Sequence, residues 1–182
     1  MAKRFDEIDE PLARFLAAQK LFFVASAPLD ADGHVNLSPK GLDTFRILGP
    51  RTVAYLDLTG SGVETVAHVR ENGRIVLLFC AFDGPPKIMR LHGRGQVIEA
   101  SDAAFAELAG RFPTHLAIRS VVRVELDRIT DSCGYGVPLY QYVGERTQLR
   151  QWAEHKGEDG VEQYRAEKNR ESIDGLPGIR RQ

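Results

Sequence analysis

The stretch from Lys87 to Glu99 restricts the fold of this chain most, because its side chains alternate with the period of one long β-strand. Two glycines, Gly93 and Gly95, lie in its second half on the same face. Glycines inside a strand often mark a bulge or a sharp bend. A small closed barrel needs such bends, so the stretch predicts a curved sheet.

The other segments predict short strands that mostly follow one another without an intervening helix. The predicted strands are Leu21 to Ala27, Val35 to Lys40, Thr44 to Leu48, Thr52 to Leu58, Arg74 to Phe82, Lys87 to Glu99 and Ala117 to Ile129. The predicted helices are Glu7 to Lys20, Val63 to Asn72, Asp102 to Phe112, Arg146 to Lys156 and Val161 to Glu171. This order predicts a mainly β, antiparallel barrel with peripheral helices rather than a doubly wound parallel sheet.

A length of 182 residues predicts one domain with a substantial core. We assign residues 1–130 to the barrel with its N-terminal helix. From Asp131 the sequence becomes rich in Gly, Tyr and Pro and then helical. Residues 131–182 are therefore predicted to be a C-terminal extension with short helices that packs on the barrel within the same domain.

The formal charge of -1 gives no overall attraction to nucleic acid or to an anionic membrane. Residues Met1 to Glu10 lack the apolar core of a signal peptide, and no run reaches transmembrane length, so we expect a cytoplasmic protein. The two cysteines show no zinc spacing: Cys80 is expected in the core and Cys133 in a tight turn. The histidines show no metal-ligand spacing either, and no metal site is predicted.

The turn Thr59-Gly60-Ser61-Gly62 lies between a predicted strand and a predicted helix. Free backbone N–H groups and a partial positive charge at a helix start suit a phosphate or another anion. Alternatively, Ser61 only caps the helix and the glycines only make the turn. The turn is neither the longer dinucleotide fingerprint nor a P-loop, because it has too few glycines and no Lys follows.

The strand from Val35 to Lys40 has an unusual polar face formed by Asn36, Ser38 and Lys40. These side chains suit hydrogen bonding to a ligand and, at Lys40, neutralisation of an anion. The alternative is a strand whose polar face simply meets solvent. Arg90 on the long strand is predicted to supply a second phosphate charge, to reach a dimer partner, or to be an ordinary surface arginine.

Four stretches, taken in their order along the chain, make it resemble the pyridoxamine 5'-phosphate oxidase-like flavoproteins. They are Asn36 to Asp43, Tyr55 to Phe79, Lys87 to Gly93 with the helix that follows, and the C-terminal pieces Ser132 to Pro138 and Lys168 to Pro177. The resemblance covers nearly the whole chain. It implies a split β-barrel with Greek-key antiparallel strands that binds FMN at a homodimer interface.

The resemblance implies an FMN-dependent oxidoreductase with a small-molecule substrate and NADH or NADPH as a possible electron donor. The flavin carries the chemistry, so no catalytic residue is assigned. The residues that the resemblance and the polar pattern together nominate for cofactor binding are Asn36, Ser38, Lys40, Ser61, Gly62, Thr65 and Arg90. Tyr135 and Trp152 are aromatic candidates for covering the flavin ring, with packing as the alternative role.

The chain also departs from the family pattern. Oxidase members typically place Arg and Lys directly after the serine of the turn, where this chain has Gly62 and Val63, and Val35 replaces an arginine. Phosphate charge must therefore be neutralised by other residues. The C-terminal signature for vitamin B6 substrates is not apparent. Two alternatives remain open: a flavin-binding or sensing module without efficient turnover, and a relative that uses a deazaflavin or haem.

Overall fold

The computed structural model describes residues 3–180. Its strands are β1 (Arg4–Phe5), β2 (Phe22–Ser26), β3 (Asn36–Lys40), β4 (Phe45–Gly49), β5 (Thr52–Leu58), β6 (Arg74–Cys80), β7 (Ile88–Ile98) and β8 (Ile118–Ser132). Its helices are α1 (Glu10–Ala18), α2 (Glu64–Asn72), α3 (Phe105–Ala109) and α4 (Gln148–Lys168). Each strand predicted from the sequence is present.

The strands form one eight-stranded antiparallel sheet in the order β3-β2-β6-β7-β8-β5-β4, with β1 paired to β8. The terminal strand β4 contacts β2, the second strand from the other end of this order: the ring centroids of Phe22 in β2 and Phe45 in β4 lie 5.6 Å apart. The sheet therefore curls around one apolar core. The prediction of a mainly β, antiparallel fold is confirmed.

The predicted bend in the long strand lies at Gly93. The register between β7 and β8 shifts between His92 and Gly93, which marks a β-bulge. Gly93 is packed directly against the backbone carbonyl of Glu125, so a Cβ would overlap that carbonyl. The glycine thus permits the close approach of two backbones at the bend.

Helix α1 covers part of the core. The Asp9 carboxylate caps it by accepting a hydrogen bond from the backbone N–H of Leu12, at 2.9 Å. Leu12 and Leu16, one turn apart, are buried in the same cluster as the barrel side chains. Cys80, as predicted, is buried at the end of β6, and burial raises the pKa of its thiol.

The C-terminal half differs from the prediction in detail. Helix α3 covers only part of the predicted segment, because the Asp102 carboxylate accepts the backbone N–H of Glu99 and holds the preceding residues in a turn. The two helices predicted after residue 145 form one element that is interrupted at Gly157, where φ is 66°. Ala153 and Val161, on either side of this break, pack with Ala117 of the barrel.

Candidate functional site

The polar side chains of β3 face the inside of the barrel. Directly opposed residues of antiparallel strands share a face, and Lys40 opposes Phe22 while Ser38 opposes Val24. Both β2 residues are buried in the core cluster. The alternative of a solvent-facing polar surface is therefore wrong, and the exposed face of this strand is the apolar one.

Asn36 and Ser38 connect β3 to the start of α2. The Asn36 amide nitrogen donates to the hydroxyl of Thr65 at 2.8 Å, and Ser38 donates to the Asn36 amide oxygen at 3.5 Å. Thr65 itself is buried. Three of the predicted cofactor residues thus form one hydrogen-bonded group. We call this group, together with Lys40, Asp57, Arg119, Arg165 and the turn Thr59 to Gly62 described below, the polar end of the barrel.

Lys40 contacts a buried carboxylate that the sequence did not single out. The Asp57 side chain is fully buried and lies 3.4 Å from the Lys40 ammonium, 2.7 Å from Arg119 Nε and 3.3 Å from the Ser120 hydroxyl. Burial alone would raise the pKa of Asp57, but the charges of Arg119 and Lys40 outweigh it and hold the pKa below its usual value. Asp57 is therefore an ionised group shared by two cations.

Arg119 extends this cluster to the glycine turn. Its Nη1 donates to the backbone carbonyl of Gly62 at 2.7 Å. Two residues of the C-terminal region fix the start of the turn. Arg165 Nε donates to the Thr59 hydroxyl at 2.9 Å. The Asn169 side-chain amide donates to the Gly60 carbonyl, also at 2.9 Å. The turn is held by side chains more than fifty residues away in sequence.

The sequence missed Asp57, Arg119 and Arg165 as site residues. A usable signal was present for Asp57, since it is the one charged residue inside a strand, β5, that is otherwise mostly apolar. Charged residues are seldom fully buried without a partner. The position of Asp57 therefore indicated a buried carboxylate with a cationic partner, but Arg119, 62 residues away in a strand with several charged residues, could not be recognised as that partner.

Helix α2 starts without a side-chain cap. Its N-cap position is Val63, which offers no acceptor to the N–H groups of the first turn, and Ser61 is exposed rather than capping. A cavity of about 370 Å³ adjoins this helix start. It is lined by His34, Val35, Asn36, Ser61, Gly62, Glu64 and Ile173. The cavity brings three predicted cofactor residues to one surface.

Arg90 lies apart from this group. It opposes Leu78, which opposes Phe23, which in turn opposes Pro39, so Arg90 shares the outer face of the sheet. Its guanidinium donates to the Ser132 hydroxyl at 3.0 Å. The structure thus separates Arg90 from Lys40, whose side chain faces inward, and leaves it available to a partner on the outer face.

The two aromatic candidates also lie outside the polar end. Tyr135 is 81% exposed, so its side chain does not pack within this chain. The Trp152 ring packs edge-on against Tyr164, with centroids 5.0 Å apart. Within residues 3–180, no group of three or more His, Cys, Asp or Glu side chains is arranged to hold a metal ion.

A model of the family described as pyridoxamine 5'-phosphate oxidase matches residues 8–133, which include the whole polar end except Arg165 and the C-terminal segment. The chain belongs to the pyridoxamine 5'-phosphate oxidase family. It is similar to the pyridoxamine 5'-phosphate oxidase family protein ustO of Aspergillus flavus, with 38% identity over 192 positions that cover 96% of this chain and 77% of the fungal protein. The resemblance inferred from four sequence stretches is thereby confirmed.

Solved structures show the same fold. HupZ of Group A Streptococcus has a TM-score of 0.53 and 23% identity, over 73% of this chain and 99% of HupZ. A putative pyridoxamine 5'-phosphate oxidase from Lactobacillus delbrueckii has a TM-score of 0.53 and 20% identity, over 70% of this chain and 98% of that protein. The family fold is the split β-barrel predicted from the sequence. In the described part of the chain, no helix combines the length and apolarity needed to cross a membrane.

Proposed function

We propose that this protein is an FMN-dependent oxidoreductase that works as a homodimer, with a small-molecule substrate and NADH or NADPH as electron donor. The observation that carries the proposal is the inward polar face of β3, which meets the uncapped start of α2 beside a cavity in a member of this family. Bound flavin would supply hydride or single-electron transfer. The protein would supply binding, orientation and exclusion of water.

The residues present fit the polar parts of such a cofactor. Asn36, Ser38 and Thr65 offer amide and hydroxyl groups that pair with one another and can exchange these bonds for a ligand. The start of α2 offers backbone N–H groups to an anion. The Lys40 ammonium has three donors and only a long, 3.4 Å contact to Asp57. These groups are the ones we assign to FMN.

The outer face of β3 supports the dimer. This strand is at the edge of the sheet, and its neighbour Val35 and its own Leu37 are 76% and 63% exposed. Exposed apolar side chains on an edge strand favour association with another chain. Arg90 and Phe23 lie on the same outer face, so a second copy seated there would meet both.

Purification tests the proposal directly. The protein is expected to be yellow, to show flavin absorption bands and to release FMN on denaturation. NADH or NADPH is expected to reduce the bound flavin, with repeated reoxidation by oxygen or another acceptor. A colourless protein that also fails to bind added FMN would contradict the proposal.

A flavin-binding or sensing module is the second candidate function. It is favoured by the sequence, which shows no recognisable substrate signature, and by the pairing of both Lys40 and Arg119 with Asp57. Binding of FMN without reduction by either nicotinamide cofactor, and without repeated turnover, would select this candidate.

The variant Lys40→Ala is expected to weaken FMN binding by about 1.5–3 kcal/mol, because a charge-assisted hydrogen bond to the cofactor is lost. Fluorescence titration with FMN measures the change. Lys156→Ala is the matched control, because Lys156 is an exposed lysine of α4. Equal FMN affinity in both variants and the unmodified protein would refute the role of Lys40.

A further inference from the structure

Glu64 places a negative charge at the cavity where a phosphate is expected. It is the first residue of α2 and lines the cavity together with Gly62. Its carboxylate lies so close to Gly62 that a Cβ there would overlap it. One oxygen accepts the backbone N–H of Ile173 at 3.4 Å, and within residues 3–180 this carboxylate forms no ion pair. Within the described residues, Glu64 is therefore an acidic side chain at the helix start without a cationic side-chain partner.

The C-terminal segment brings a second carboxylate to the same cavity mouth. Asp174 follows Ile173 and accepts hydrogen bonds from the backbone N–H of His34 at 2.8 Å and from its ring Nδ1 at 2.6 Å. These bonds lower the pKa of Asp174, so it is ionised at neutral pH. The N–H group of His34, which lines the cavity, is thus already used by an anion of the chain itself.

The nearby cations do not offset these carboxylates. Lys40 and Arg119 both contact Asp57 inside the barrel. His68, one helical turn after Glu64, is fully buried, and burial lowers its pKa despite the charges of Asp174 and Glu64. It is therefore neutral at pH 7. The N–H groups at the start of α2 amount to roughly half a positive charge, whereas a phosphate monoester brings about -1.5 to -2.

We propose that Glu64 is a specificity-determining residue that sets how much negative charge this cavity accepts at the start of α2. The inference rests on the proposed flavin function, since it concerns the phosphate end of that cofactor. With the Glu64 carboxylate in place, the cavity takes the phosphate of FMN at reduced affinity, because this carboxylate must first leave the backbone N–H of Ile173 and turn away. The uncharged parts of the flavin are not affected by this residue.

The variant Glu64→Gln tests the inference because glutamine keeps the shape and the acceptor for Ile173 but removes the charge. FMN is expected to bind about tenfold more tightly to the variant than to the unmodified protein, since a like charge near the phosphate is gone. Riboflavin, which lacks the phosphate, is expected to bind both proteins equally. Glu107→Gln, an exposed change on α3, is the control for net charge. Equal effects on FMN and riboflavin would overturn the inference.

Inorganic phosphate gives a readout that does not depend on flavin binding. In titrations followed by amide NMR, the N–H signals of Thr65 and Val66 are expected to shift at several-fold lower phosphate concentration in Glu64→Gln than in the unmodified protein. Identical titrations would overturn the role of Glu64. Failure of every variant to bind FMN, with the phosphate difference intact, would instead overturn the proposed function and leave the charge role of Glu64 supported.

Discussion

Replacing Asp57 with alanine is expected to lower the free energy of unfolding by about 3–5 kcal/mol, because it leaves the buried guanidinium of Arg119 and the ammonium of Lys40 without their shared carboxylate. Urea denaturation followed by circular dichroism measures the change. Glu107→Ala, which removes an exposed carboxylate from α3, is expected to change the free energy by less than about 0.5 kcal/mol. If Asp57→Ala lowered the free energy of unfolding by no more than Glu107→Ala, the cluster of Asp57, Arg119 and Lys40 would not stabilise the barrel.

The same carboxylate predicts a dependence of stability on pH. The pKa of Asp57 is lower in the folded protein than the value of about 3.9 expected in the unfolded chain. The contribution of Asp57 to the free energy of unfolding is therefore fully present above roughly pH 4. It is lost as the pH falls through the lower pKa of the folded state. In Asp57→Asn, the free energy of unfolding is expected to fall less between neutral pH and pH 3 than in the unmodified protein. Urea denaturation of both proteins at several pH values in this range measures the difference.

Replacing Gly93 with alanine is expected to lower the free energy of unfolding by about 3 kcal/mol, near the upper end of the usual cost of overpacking. The added Cβ overlaps the backbone carbonyl of Glu125, and a backbone between two paired strands moves less easily than a side chain. The bulge between β7 and β8 has to widen to accept it. Thermal unfolding followed by circular dichroism would show a clearly lower midpoint.

Gly136→Ala provides the matched control for this change. A Cβ at Gly136 meets no atom within 4 Å, and its φ does not require glycine. We expect almost no change in the free energy of unfolding there. If Gly93→Ala were as stable as the control, the bulge would be able to adjust freely, and the close approach at Gly93 would not determine the bend.

Together, these features divide the polar end of the barrel into an interior and a mouth with different charge. The interior holds two cations around Asp57, whereas the mouth carries Glu64 and Asp174. The proposed cofactor would meet both regions. Mutations at Lys40 and at Glu64 are therefore expected to change FMN affinity in opposite directions.

The sequence determined the class of fold because strand alternation is a local property. The alternating face of Lys87 to Glu99, with Gly93 and Gly95 on it, indicated a curved antiparallel sheet with a bend or bulge in this strand, and the structure placed the bulge at Gly93. The uncharged turn before α2 was likewise readable, since glycines and the helix pattern after them are local signals. The sequence therefore also showed that the side chains of Gly62 and Val63 supply no positive charge to a phosphate.

Only the tertiary structure decided which side of β3 is inside and which charges meet there. Alternation separates Asn36, Ser38 and Lys40 from Val35 and Leu37, but the direction of each face depends on pairing with β2. Sequence spacing likewise gives no distance between Asp57 and Arg119 or between Glu64 and Ile173. These contacts form because the sheet curls and the C-terminal segment returns to α2, and both depend on packing between residues far apart in the chain.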